Sequence, residues 1–384
     1  MTGTEDFNAL GAAGTAALSA GDAVTARQKF RAIVNAGGGD ETVWLLLALA
    51  TSALNDSAET HEAIDRVLAT QPANLRALVL KGDTLWSDGD HRGAAGFYRR
   101  VLTLVPDTSA LKPDAVAEIE RIRQVYDAYT TNLDTHLRNY VQTQAGAATS
   151  RRFAQSMELL SESAERFVEA PRAYYFPELP AVQFYDTDDF DWAAPLEARI
   201  GDIVQEFEAA MQSAAEFKPY IHTTGNKPVN PDHPLLDSMD WSALFLQQNG
   251  ELIDEVASRF PVAMSALQET PLETVPGRGP SILVSRLAPG TRIEAHTGFL
   301  NTRLTCHIPL RLPGKCGLRV GNETREWEPG KLLIFNDAIN HEAWNDSGED
   351  RYVMIFQVWR PELTMDERAL VSSLLQGIDS YSAE

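Results

Sequence analysis

Cysteine is nearly absent from this chain: Cys306 and Cys316 are the only two among 384 residues. That scarcity excludes a disulfide scaffold, and because each thiol lies in or beside an apolar strand pattern, both read as core residues. Basic residues are also few, 33 against 54 acidic, leaving a net charge of −21. A field of that sign repels phosphate backbones and anionic lipid surfaces, so neither nucleic acid nor a membrane is an expected partner. No run approaches the roughly 20 uninterrupted apolar residues of a spanning helix. Met1-Thr-Gly-Thr-Glu-Asp lacks the cationic start of a secretion signal, which makes the cytoplasm the expected location.

What is present is enough apolar residue, 44% of the chain, to bury two cores. In the first hundred residues, steps of 34 align Gly21-Asp22 with Asn55-Asp56 and Gly89-Asp90, then Phe30 with Ile64 and Tyr98, then Val34 with Leu68 and Leu102. Small positions recur at Ala26 and Ala94 and at Ala48 and Gly82, although Thr60 replaces one expected alanine and the first repeat ends in Gly37-Gly-Gly39. This period resembles tetratricopeptide repeats, in which small residues let paired helices approach and larger ones fill the space between pairs. Such repeats either present a concave surface to a protein partner or only pack against the rest of the chain. From Lys112 to about Ala170 the pattern predicts helix, with Ala115, Ile119, Ile122 and Val125 on one face.

From Tyr175 onward prolines, aromatics and short apolar runs take over, with a helix expected near Ala194–Ala214 and strands after it. In 303–312 a period of two sets Arg303, Thr305 and His307 on one face and Leu304, Cys306, Ile308 and Leu310 on the other, a polar cavity against a core. Arg351 begins a similar run whose Tyr352, Met354 and Phe356 face oppositely. Gly321-Asn322 and Pro329-Gly330 read as turns, and short strands so punctuated suit a sandwich or barrel-like sheet, not a βαβ array.

Two histidines stand out of the eight: His296 in His-Thr-Gly and His341 in Asn-His-Glu-Ala-Trp, followed by the strand-borne Arg351. Imidazoles that hold a metal leave positions open for O2 and an oxo-acid, and an arginine can clamp a carboxylate by two parallel hydrogen bonds, a combination that points to iron-dependent oxygenase chemistry. The usual facial triad places Asp or Glu two residues after the first histidine, and this chain has Gly298 there. Asp337 is a candidate third ligand or simply a turn residue. Glu342 is next to His341 and so points to the opposite strand face, and neither it nor Glu294 is favoured as a ligand. Arg303 and His307 have an alternative as exposed strand residues, and Arg351 as a partner of Asp346 or Asp350.

The surrounding sequence is more specific. The run Ser285-Arg-Leu-Ala-Pro-Gly-Thr-Arg-Ile-Glu-Ala-His-Thr-Gly298, then Asn301-Thr-Arg-Leu-Thr-Cys-His307, Gly317–Trp327, Gly330-Lys-Leu-Leu-Ile-Phe-Asn-Asp337, His341-Glu-Ala-Trp344 and Val358-Trp-Arg-Pro-Glu-Leu-Thr364 resembles the aspartyl/asparaginyl β-hydroxylase family. Weaker likeness extends upstream to about Tyr175. The resemblance implies a 2-oxoglutarate-dependent dioxygenase on a double-stranded β-helix, whose Fe(II) is held by two histidines without a carboxylate, so that Gly298 is the family's own pattern. Position by position it makes His296 and His341 the iron ligands and catalytic centre. Ser285 and Arg351 become the holders of the distal carboxylate of 2-oxoglutarate, His307 a neighbour of its metal-bound end, and Arg303 a substrate-pocket residue. Thr305, also in that pocket, stands where better-known members carry a second arginine, which departs from carboxylate recognition of the Asp/Asn type.

The fold expected is thus α+β and multidomain, with TPR-like helical repeats over 1–106, a helical connector over 107–174, and a jelly-roll or cupin-like dioxygenase domain over 175–384. The expected activity, with O2 and 2-oxoglutarate as cosubstrates, is hydroxylation of an unactivated C–H of a peptide or protein residue. The alternatives are a free or carrier-bound amino acid or other small molecule, with structural repeats, and a non-enzymatic repeat scaffold.

Overall fold

A computed structural model describes residues 7–146, 150–212, 217–223 and 230–381. The chain divides into two compact units, one through Ala164 and one from Glu165. The segment Met1-Thr-Gly-Thr-Glu-Asp and the Ala214 end of the expected second-unit helix lie outside the described residues.

The first unit is built from three helix pairs: α1 (Phe7–Ser19) with α2 (Ala23–Asn35), α3 (Glu41–Ala53) with α4 (Ser57–Thr70), and α5 (Leu75–Ser87) with α6 (His91–Leu104). The 34-residue period marks where each pair turns. Asp22, Asp56 and Asp90 cap the second helix of each pair, accepting from the backbone N–H of Thr25, Glu59 and Gly93. The residues just before them, Gly21, Asn55 and Gly89, hold φ of 77°, 55° and 86°, which is why only glycine and asparagine occur there. Thr60 replaces alanine without loss because its hydroxyl donates to the Asp56 carbonyl at 2.7 Å and meets Thr51 Oγ1 at 2.8 Å.

At Gly82 the small residue is required: a Cβ would come within 2.6 Å of the Tyr98 ring, whose hydroxyl donates to Asp83 at 2.7 Å. Gly82→Val is therefore expected to destabilise this unit by about 1–3 kcal/mol through overpacking. Denaturant unfolding of the full chain checks this, and an unchanged midpoint would contradict the close approach.

Two further helices follow, α7 (Pro113–Ala145) and α8 (Arg151–Leu160). Ile119 and Ile122 are buried as the periodicity requires, whereas Ala115 is exposed. Helix does not reach Ala170: it stops at Leu160, Glu162 takes φ of 57°, and Glu169 instead bridges to Ile339 in the second unit. The physical cause is tertiary, since Glu169 accepts from Arg360, Asn301 and Asn336 there.

The second unit is a double-stranded β-helix of jelly-roll type. Its strands are β1 (Phe184–Tyr185), β2 (Lys218–Pro219), β3 (Trp241–Gln248), β4 (Glu251–Leu252), β5 (Ile282–Leu287), β6 (Thr291–His296), β7 (Arg303–Arg311), β8 (Cys316–Val320), β9 (Glu323–Arg325), β10 (Leu333–Phe335), β11 (His341–Asn345) and β12 (Arg351–Trp359). One sheet runs β1-β10-β7-β12-β5-β3-β2, with β4 beside β3, and the other β6-β11-β8-β9. Trp241, Leu287, Val353 and Phe335 from the first sheet pack against Ile293, Leu318 and Val320 from the second. The large sheet's outer face packs against α10 (Ile200–Met211), which follows the short α9 (Ala193–Glu197), and against α12 (Pro261–Leu267), which follows α11 (Asp254–Ala257). In β7 the alternation holds: Leu304, Cys306, Ile308 and Leu310 join that helix-covered core, leaving Arg303, Thr305 and His307 toward the space between the sheets. Pro309 cannot donate to its neighbour, and the β7–β12 register slips beside it, between Tyr352 and Val353. Gly321-Asn322 links β8 to β9, and Gly330 turns with φ of 77° before β10. The C-terminal helix α13 (Met365–Tyr381) buries Val371 and Leu375.

Candidate active site

The two histidines come from neighbouring strands of the small sheet. His296 ends β6 and His341 begins β11, directly opposed in register, with ring centroids 4.1 Å apart. Each Nδ1 lies on a backbone carbonyl two residues earlier, Glu294 O at 2.7 Å and Ile339 O at 2.9 Å. A carbonyl only accepts, so each Nδ1 carries the proton and each Nε2 keeps its lone pair, the state of a metal-ligating imidazole. Burial favours the neutral form: it lowers the pKa of His296, and that of His341 falls to about 3, with the neighbouring His296 adding to the effect.

Gly298 has no room for a side chain. Its N–H donates to the Asp337 carbonyl at 2.6 Å, and a Cβ there would collide with the Asp337 carboxylate. Asp337 lies on the turn after β10, and the described residues contain no cluster of three or more His, Cys, Asp or Glu able to hold a metal. Glu342 is engaged by Arg319 at 2.6 Å and by Arg292 at 3.3 Å, which accounts for it as a surface ion pair.

The large sheet forms the opposite wall. Ser285 on β5 pairs with Val353 and Leu287 with Arg351, so Ser285 and Arg351 share one face of adjacent strands. Arg351 is 1% exposed, its guanidinium 4.8 Å from the centroid of the Trp327 ring. Neither nearby aspartate reaches it: Asp350 is held by both Nε and Nη2 of Arg286, and Asp346 lies 4.0 Å from Arg292. Its Nε has no hydrogen-bond partner, and burial lowers its pKa to about 10, still ionised at neutral pH. A buried, unpaired guanidinium is costly unless an anion joins it.

Trp327 also fixes His307, donating from Nε1 to Nδ1 at 3.1 Å. Burial holds His307 neutral, so its remaining proton sits on Nε2 as a donor. Ser285 Oγ accepts from Trp241 Nε1 at 3.3 Å and keeps its own hydrogen to give. Phe335 stands edge-on to both His307 and His341, at 5.1 and 5.5 Å, and connects the two walls.

The remaining inward groups of β7 meet acids that the sequence did not single out for this role. Arg303 Nη1 donates to Glu273 Oε2 at 2.8 Å, while burial raises the pKa of Asp337 against the opposing effects of Arg303 and the Thr305 hydroxyl. Arg172, another residue not singled out, lies over Phe299 at 4.3 Å, and its charge disfavours protonation of both His296 and His341. Of these, the sequence marked only Asp337, and that as a third ligand or a turn residue; Glu273 and Arg172 carry no local signal.

Two imidazoles with free Nε2 lone pairs on the small sheet and a buried arginine without an acid partner on the large sheet, among the described residues, thus mark the site. Residues 197–361 match the family model described as Aspartyl/Asparaginyl beta-hydroxylase. The human Aspartyl/asparaginyl beta-hydroxylase is 39% identical over 138 residues, 36% of this chain and 18% of that one. An Ornithine lipid ester-linked acyl 2-hydroxylase of Rhizobium tropici is 30% identical over 181 residues, 46% of this chain and 60% of that one. The chain thus spans less than two thirds of the length of these relatives. The first TPR domain of the human RPAP3 protein covers 33% of this chain and 96% of its own, at 19% identity and a TM-score of 0.28.

Proposed function

We propose that this protein is an Fe(II)- and 2-oxoglutarate-dependent hydroxylase of a peptide or protein residue. The observation that carries the reading is Arg351, a fully buried cation with no acid partner among the described residues, on the wall that faces the two imidazoles. The hydroxylase names of the relatives support it. His296 and His341 would hold the metal through Nε2. Arg351 and the Ser285 hydroxyl would take the distal carboxylate of 2-oxoglutarate, and His307 Nε2–H would donate to its metal-side end. When bound, Fe(II) with 2-oxoglutarate and O2 supplies the oxidation, placing one oxygen atom in succinate and the other in an unactivated C–H bond as CO2 is released.

The protein's own contribution is positioning. Trp327 serves both anchors, stacking on Arg351 and setting the His307 tautomer, while two neutral imidazoles leave the metal's charge for the cosubstrate to balance. Buried as they are, these donors act more strongly on an anion than they would in water. The helical repeats are the proposed recruiting surface for a polypeptide. Hydroxylation of a free or carrier-bound amino acid is the second reading, favoured by the Thr305 departure. The cytoplasm is the proposed location.

Purified protein given Fe(II), 2-oxoglutarate, ascorbate and O2 is expected to form succinate slowly even without its substrate. No succinate above an iron-free control, with peptide extracts also supplied, would sink the proposal.

A further inference from the structure

The C-terminal helix α13 carries more apolar surface than it buries. One side is settled: Val371 and Leu375 pack with Val275, Leu300, Trp359 and Leu363. Both ends are pinned. Thr364 N–H donates to the Glu367 carboxylate at 2.8 Å and Glu367 N–H to the Thr364 hydroxyl at 3.2 Å, a reciprocal cap. Arg278 donates from Nε and Nη2 to the Asp379 carboxylate, each at 2.6 Å. Beside the buried side, Leu370, Leu374, Ile378 and Tyr381 follow at steps of four, four and three residues, the spacing of a single helix face. They are 69%, 46%, 49% and 87% exposed.

The stripe is free of charge along its length. From Ala369 to Ile378 no acidic or basic residue occurs, on a chain whose net charge is −21. A basic partner would need acids alongside the stripe, and an anionic lipid surface would need lysine or arginine there. A second copy of this chain has the opposite requirement. Two copies so charged repel each other, so the face on which they meet must keep charge away from the contact. Gly377 gives a separate indication. It flanks the stripe one turn after Ser373, and a Cβ there would meet nothing within 4 Å among the described residues. Glycine inside an exposed helix weakens it with no return within the chain, whereas the missing side chain lets another backbone approach.

We propose that α13 is the contact helix of a homodimer. The same stripe on two copies packs antiparallel about a two-fold axis at Leu374, with Leu370 of one copy against Ile378 of the other. At about 200 Å² for a fully exposed large side chain, the four exposures amount to roughly 500 Å² per copy. That area lies at the small end of specific interfaces and belongs to a dimer that dissociates in the micromolar range.

Sedimentation equilibrium of the full chain, over about 1 to 300 µM, is expected to show a monomer–dimer equilibrium with a micromolar dissociation constant. Added salt should tighten it, because screening relieves the repulsion between two acidic chains. Leu374→Glu sets two like charges together at the axis and should weaken the dimer by about tenfold or more, with the thermal midpoint of the dilute protein unchanged. Gly377→Gln is the second variant, and it suits the helix better than glycine does. It should hold or raise the dilute midpoint while also weakening the dimer, a combination that a purely structural role for this face would not give. With both native thiols buried, Leu374→Cys should form a disulfide-linked dimer on mild oxidation faster than Val24→Cys, whose thiol would be exposed on α2. A chain that stays monomeric over the whole range would overturn the proposal. So would a dimer that survives both Leu374→Glu and Gly377→Gln, or one that salt dissociates. A lowered dilute midpoint in Leu374→Glu, in a chain that is monomeric throughout, would show that the stripe is covered by this chain itself.

Discussion

Arg351→Ala is expected to weaken 2-oxoglutarate binding by about 2–5 kcal/mol while iron loading stays normal, because the cosubstrate's distal carboxylate loses a desolvated, charge-assisted partner. The size of the effect follows from what surrounds Arg351. Its guanidinium stacks on Trp327 and meets no carboxylate among the described residues, so without ligand it is a buried charge held at a cost. Removing it should therefore do little harm to the ligand-free fold. The thermal midpoint of the variant alone should move far less than the midpoint shift that 2-oxoglutarate produces in the parent. Arg351→Lys should recover only part of the affinity, since an ammonium cannot give two parallel hydrogen bonds. Calorimetric titration of the three proteins decides it, and equal affinities would mean that the anion binds elsewhere.

The second large effect is expected in metal retention. His296→Ala and His341→Ala should each lose iron almost completely, for the remaining imidazole has no third protein ligand beside it among the described residues. Asp337→Ala should keep it. Its carboxylate fills the space that a side chain at residue 298 would need. Gly298→Asp follows from the same packing: the new side chain collides with Asp337 and brings a second carboxylate to a buried place, so folding yield and succinate formation should both fall. Iron analysis of the folded variants separates the cases. A folded Asp337→Ala protein that is metal-free would show that three groups, not two, hold the ion.

Much of this was legible in the sequence because it depends on local pattern. The 34-residue step located the capping aspartates and their left-handed neighbours, since a helix turn needs those residue types wherever it recurs. Strand alternation placed Arg303, Thr305 and His307 on one face of β7, because the pleat leaves no other choice. The ordered resemblance brought His296, His341, Ser285, His307 and Arg351 onto two facing walls.

What escaped notice depends on chain segments distant in sequence. The Glu273–Arg303 pair joins a loop to a strand 30 residues on, and nothing in the local composition of either announces the other. Gly298 read as a missing ligand by triad spacing and as the family's own pattern by resemblance, and only the packing of Asp337 against it gives the steric reason for a glycine. Helix was expected to continue to about Ala170, but Glu169 is drawn into the second unit by Arg360, whose buried guanidinium outweighs local propensity.

The central claim is that the two imidazoles and Arg351 grip one shared assembly of metal and oxo-acid. It is tested most directly by measuring 2-oxoglutarate affinity with and without Mn(II), in the parent chain and in His341→Ala. The account expects the metal to tighten 2-oxoglutarate binding by about tenfold or more in the parent, and expects that coupling to vanish in His341→Ala. Binding that is indifferent to the metal in the parent, or coupling that survives the loss of His341, would contradict it.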